Sequence, residues 1–310
     1  MRNPFQPVVR ALALSLSPVL ALLAPASLPA HAETAAAVVA PVPVAARPAL
    51  WKIADADTTI WLFGTIHALP PGIHWMDGPV VAALRDSAQL VTEIPETDPA
   101  AMQSAVMGHA LLPEGQTLRA LLTEADRPKF EAALAGVGLP PEAFDRFEPW
   151  YAAVALTTLP LAKSGYTAAN GVEEQISAEH RRLGRLRIGL ETAEDQLAMF
   201  DSLPRDVQLR YLHEVLEGLP TLDSELAGIV REWSAGHAEK LAELLNADED
   251  DPRMVTVLLT NRNHAWADWL GKRLNQPGTV FMAVGAGHLA GKDSVQALLK
   301  QRGIVAVRVQ

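Results

Sequence analysis

Apolar residues recur along this chain in two rhythms, and these divide it into strands and helices. Thr59 to Phe63 and Thr279 to Val284 are short, apolar and partly β-branched, the composition of buried strands, and each runs into glycine. Trp51-Lys52-Ile53, before an Asp-Ala-Asp turn, and Val305 to Val309 read as further strands. Leu90 to Ile94 is a strand stopped by Pro95, and Leu186 to Glu191 alternates with period two, as a strand with one polar face does. Between these the spacing is helical: Pro79 to Ala88, Pro99 to about Gly184 with Pro/Gly breaks, Thr192 to Leu245, Pro252 to Leu274, and Ser294 to Gln301. The alternation predicts an α/β domain over 50–310. Its sheet is mixed or mostly parallel and flanked by many helices, and a helical block over about 99–184 covers the sheet or caps a site.

Charged residues that break the apolar pattern are the candidates for chemistry. Two of the strands lead into the same sequence, G-x-x-H: Gly64-Thr65-Ile66-His67 and Gly285-Ala286-Gly287-His288, 221 residues apart. Two others lead into Glu93 and Glu191. Ligands in open α/β sheets bind outside the carboxyl ends of the strands, so all four side chains are expected at one edge. Asp251 and Pro252 open the last long helix, whose apolar stripe runs through Val255, Leu258, Leu259, Trp266, Trp269 and Leu270. Arg262 falls on that stripe, where an unpaired guanidinium is costly, so a contact with Glu93 or Glu191 is expected. His67, Glu93 and His288 form an open donor set for a divalent metal, Mn, Co or Zn, that would activate water. Glu191 is then the general base, and Arg262 stabilises an oxyanion or presents its fork to the substrate. A metal-free version uses His67 or His288 as the base.

Composition narrows the setting. The first 32 residues have a positive start at Arg2 and Arg10, an apolar stretch from Ala11 to Leu23 broken by Pro18, and a small-x-small site at Ala30-His31-Ala32. They read as a cleaved secretory leader rather than an anchor, because the apolar run is shorter than the roughly 20 residues a spanning helix needs. An Ala/Pro-rich linker over 33–49 is expected next. Removing the leader takes away two arginines and no acid, so the formal charge goes from -10 to -12, 24 Lys+Arg against 36 Asp+Glu. Such a chain is a poor partner for nucleic acid or anionic membrane. With no cysteine, disulfides and thiolate chemistry are excluded. The expected address is the periplasm or the exterior, with no stable membrane insertion after cleavage.

The motifs as a set, GTIH at Gly64 to His67, VTEI around Glu93, GLETAEDQ from Gly189 to Gln196, NRN at Asn261 to Asn263 and VGAGHLAG from Val284 to Gly291, resemble the TraB/PrgY/GumN family. That family is similar to the Tiki membrane metalloproteases, which trim Wnt, and more distantly to erythromycin esterases and ChaN-like haem-binding proteins. The resemblance covers roughly Leu50 to Gln310. It implies an EreA/ChaN-like α/β fold with paired G-x-x-H motifs, a site made by His67, Glu93, Arg262 and His288, and metal-dependent hydrolysis of a peptide or small acyl substrate. Family members related to conjugation act on or sequester peptide pheromones. The alternatives are a periplasmic peptide- or haem-binding protein without turnover and a metal-free, esterase-like hydrolase.

Other motifs lead nowhere. Gly285, Gly287 and Ala290 satisfy G-x-G-x-x-A, but the acidic ribose-binding residue that should follow the next strand is missing. His213-Glu214 begins like a zincin helix, yet Glu217 stands where the second histidine is needed, and no G-x-S-x-G elbow is present. His109, His180, His213, His237 and His264 are expected on solvated helix faces.

Overall fold

The apolar runs pair into a six-stranded sheet. The strands are β1 (Val44–Ala45), β2 (Leu50–Ala54), β3 (Thr58–Thr65), β4 (Ile73–His74), β5 (Gln89–Thr92), β6 (Leu186–Gly189), β7 (Gly278–Gly285) and β8 (Val307–Arg308). The main sheet has the order β6-β5-β7-β3-β2-β8. β6, β5, β7 and β3 are mutually parallel, while β2 runs antiparallel between β3 and β8. This is the α/β architecture with a mixed, mostly parallel sheet that the sequence predicts. The computed structural model describes residues 44–245 and 251–310, and the leader lies outside them. Among the described residues no helix is long and apolar enough to cross a membrane.

Both faces of the sheet are covered, which is why its central strands are almost wholly apolar. Along β7 the side chains alternate between two cores. Val280, Met282 and Val284 pack on one face with Leu62, Val91, Trp266 and Leu270, against helices Asn261–Arg273 and Val295–Gln301. Phe281 and Ala283 pack on the other with Phe63, Leu90, Val172, Ile176 and Trp233. Fully burying a side chain such as Phe281 is worth about 1.5–3 kcal/mol, so the two cores outweigh any single surface contact. The helical block from Pro99 to Arg182 shares this second core.

Three local features differ from expectation. The stretch expected as a linker joins the fold before it ends: Val44 and Ala45 pair with Ile73 and His74, and Ala46 is buried. The helix expected from Pro252 to Leu274 contains a π-helical segment, Thr256–Thr260, just before Arg262. His180 is 1% exposed rather than solvated, with neither ring nitrogen hydrogen-bonded to a described residue.

Candidate functional site

The register of the parallel strands decides where the ionisable residues end up. Thr65 pairs with Gly285, Thr92 with Ala283, and Thr92 with Gly189, so β3, β7, β5 and β6 end nearly level. His67, His288, Glu93 and Glu191 each lie within three residues of those ends, in the order Glu191, Glu93, His288, His67 across the edge. The two G-x-x-H turns touch: a Cβ on Gly64 would stand 3.1 Å from Ala286 Cα. A side chain at the first glycine would press on the backbone of the second turn. His288 itself rides on a short 3-10 turn, Ala286–Leu289.

Arg262 occupies the middle of one half of the site. Its Nε donates to both oxygens of Glu191 (2.9 and 3.1 Å), and its Nη2 donates to Glu93 Oε2 (2.6 Å) and Glu191 Oε2 (2.9 Å). Nη1 donates to the Leu258 carbonyl (3.1 Å), set in place by the widened π turn, and to His288 Nε2 (3.0 Å). The contact expected for Arg262 is thus made with both carboxylates. Every N–H of the guanidinium has an acceptor in the protein, so the fork expected to meet a substrate is spent. The plane of Trp266 lies under it, 4.7 Å from ring centroid to Cζ.

The remaining atoms of this half are held just as closely. Glu93 Oε1 accepts from the Gly285 N–H (2.7 Å), and Gln196 Nε2 donates to both Glu93 (3.0 Å) and Glu191 (3.1 Å). Trp266 Nε1 donates to Glu191 Oε1 (3.1 Å). His288 Nδ1 lies 2.6 Å from Asn263 Oδ1, and Asn263 is anchored in turn to the Asp293 carbonyl (2.8 Å). An oxygen on one nitrogen and a guanidinium N–H on the other define a neutral imidazole protonated at Nδ1. Burial, then the charge of Arg262, pushes His288 down to about 3, against the opposing pull of Glu93. Burial alone would raise the Glu93 carboxyl, but Arg262, with His288, His67 and the Gly285 N–H, overrides it and holds Glu93 at about 2.

His67 belongs to the other half. Helix Val172–Arg182 brings its first turn against the loop after β3: the Val172 N–H donates to the Ile66 carbonyl (3.0 Å), and a Cβ on Gly171 would overlap the His67 carbonyl. Glu173, in that first turn, turns Oε1 to His67 Nδ1 in close contact. Its other oxygen, Oε2, is buried and accepts no hydrogen bond from a described residue. His67 is also close enough for its charge to act on both Glu93 and His288.

The structure therefore gathers all five residues nominated from sequence, His67, Glu93, Glu191, Arg262 and His288, and adds others that were not. Gln196 and Asn263 lay inside the GLETAEDQ and NRN runs, and Trp266 read as core. Glu173 carried no signal beyond an acid in a helix N-terminus. His67, Glu93 and His288 do not suit a divalent ion in this arrangement. Glu93 and the Nε2 lone pair of His288 are already engaged by the Arg262 cation, and among the described residues no three His, Asp or Glu side chains are arranged to hold a metal.

Comparison with known proteins places this edge in a wider group. The chain is similar to the uncharacterized protein YbaP of Escherichia coli strain K12, 25% identical over 77% of this chain and 87% of the relative. It is also similar to an uncharacterized protein of Treponema pallidum strain Nichols, 22% identical over 82% and 81% of the two chains. No solved structure matches it significantly. The family model of the TraB/PrgY/gumN family matches residues 49–308, the span that contains the whole sheet edge, and the chain belongs to that family.

Proposed function

We propose that the protein is a hydrolase of peptide or other acyl bonds, with His67 as general base and Glu173 as the group that orients it. The pairing of His67 Nδ1 with a carboxylate at the sheet's carboxyl edge carries this reading. The other candidate bases are poorly suited: His288 is neutral with Nε2 accepting from Arg262, and Glu93 is a weak base with both oxygens bonded. With Nδ1 turned to Glu173, Nε2 takes a proton from water as its oxygen bonds to the carbonyl carbon and the π pair moves to the carbonyl oxygen. Nε2 then returns the proton to the leaving amine or alcohol as that bond breaks. Glu173 stabilises the imidazolium between the two steps. Arg262 acts by positioning Glu93 and Glu191.

The test is hydrolysis of a peptide and ester library by the purified protein. His67→Ala should lower kcat by about 10²–10⁴-fold, the usual contribution of a general base, and Glu173→Gln by less. Turnover should persist in chelator. Loss in chelator with recovery on adding Mn²⁺, Co²⁺ or Zn²⁺ would instead favour the metal-dependent form, in which Arg262 yields its place to the ion. Unchanged turnover in His67→Ala removes the base assignment. The leader-like first 32 residues support a periplasmic reaction, and N-terminal sequencing of exported protein should then begin at Glu33.

A further inference from the structure

Arg187 lies on the edge strand β6, paired in register with Leu90. Residues paired across parallel strands share a face, so its side chain lies on the face of Leu90, Val172 and Ile176, the face that carries Glu173. It is half-buried. Nε donates to Thr92 Oγ1 (3.2 Å) and Nη2 to the Ile94 carbonyl (3.2 Å), the residues on either side of Glu93. Among the described residues Nη1 has no acceptor and no carboxylate lies at ion-pair distance. The acids around it are engaged elsewhere: Glu96 and Glu174 are held by Arg181 at 3.0 and 2.8 Å, and Glu173 faces His67.

A guanidinium withdrawn from water without a counter-ion is costly, and its burial lowers the Arg187 pKa. Arg262, the other arginine at this edge, has every N–H satisfied. Arg187 is clamped by two oxygens at the end of β5 with part of its fork unspent, the arrangement of a preorganised anion receptor. We infer that Arg187 is a specificity residue that receives a carboxylate of the substrate beside the His67–Glu173 pair. The inference rests on the proposed hydrolysis for its catalytic meaning. Recognition itself is a binding property and can be measured without turnover.

Three probes separate the sources of the carboxylate: N-acetyl-tetraalanine as the free acid, its C-terminal amide, and N-acetyl-Ala-Ala-Glu-Ala-amide. Calorimetry on the full protein should show the free acid, or the side-chain acid, binding at least about tenfold more tightly than the plain amide. Arg187→Met should erase that preference without weakening amide binding, and Arg187→Lys should retain part of it, because the charge remains while the bidentate fork is lost. If the protein turns over, the loss should fall on KM for the acid. Equal binding of acid and amide by the wild-type protein overturns the proposal, as does a preference that survives in Arg187→Met. Absence of hydrolysis alongside a preference that depends on Arg187 would remove the proposed reaction and leave the receptor in place. Melting curves of Arg187→Met show whether the variant is folded, and Arg187→Lys supplies the comparison if it is not.

Discussion

The two halves of the sheet edge use charge in opposite ways. Around Arg262, two carboxylates, an imidazole and a backbone carbonyl satisfy one guanidinium, the Asn263 amide holds the imidazole, and almost every polar atom has a partner among the described residues. Around His67, and among the described residues, Glu173 keeps a buried oxygen without a hydrogen bond and Arg187 keeps an N–H pair without an acceptor. A closed network rigidifies what it contains. An incomplete one leaves atoms that a substrate and water can complete. The first half is therefore the frame that holds the edge in shape, and the second is where chemistry and recognition are assigned.

Breaking the frame should have the largest effect. Arg262→Met leaves Glu93 and Glu191 buried without their cation and should cost about 3–5 kcal/mol, read as a fall in the urea midpoint at unchanged slope. A loss below about 1 kcal/mol would mean that the carboxylates find other partners, and the contrast between the halves would disappear.

Acid titration sharpens the comparison. His288 falls from 6.5 to about 3 on folding and Glu93 from 4.5 to about 2. Both folded-state values are depressed, so the unfolded chain binds more protons: their stabilisation is full above pH 6.5 and is lost as pH falls, His288 acting between 6.5 and about 3 and Glu93 between 4.5 and about 2. Each titrating group should contribute a slope of up to about 1.4 kcal/mol per pH unit within its window. In His288→Asn the slope between pH 6.5 and 4.5 should flatten, and an unchanged slope there would show that His288 does not titrate on unfolding.

The smallest effect on stability is expected in the open half. Glu173→Gln keeps the shape of the side chain and an oxygen that can still face His67 Nδ1, so its unfolding free energy should stay within about 1 kcal/mol of wild type while turnover drops. A large loss of stability with intact turnover would make the His67–Glu173 pair structural.

Much of this was legible in the sequence because it is local. Apolar periodicity located the sheet strands to within a few residues, since a strand buried on both faces has no polar positions to spare. The same logic marked Arg262: a charge on an apolar stripe has to be matched by something buried. The repeated G-x-x-H motif marked strand ends, and strand ends in a parallel sheet share an edge. The π turn at Thr256–Thr260 was not legible, because its residues have the same spacing as an ordinary helix.

What the sequence by itself determined was therefore the α/β class and five of the residues brought together, His67, Glu93, Glu191, Arg262 and His288. Only the tertiary structure decided how they divide their hydrogen bonds. Arg262 could pair with Glu93, with Glu191, or with a ligand, and the level ends of β5 and β6 let it take both carboxylates at once, with His288 added from β7. Glu173 became the partner of His67 because the close approach of Gly171 seats the first turn of its helix on the loop after β3. Hydrogen-bond partners across more than a hundred residues depend on register and packing, and these are properties of the assembled sheet rather than of any window of sequence.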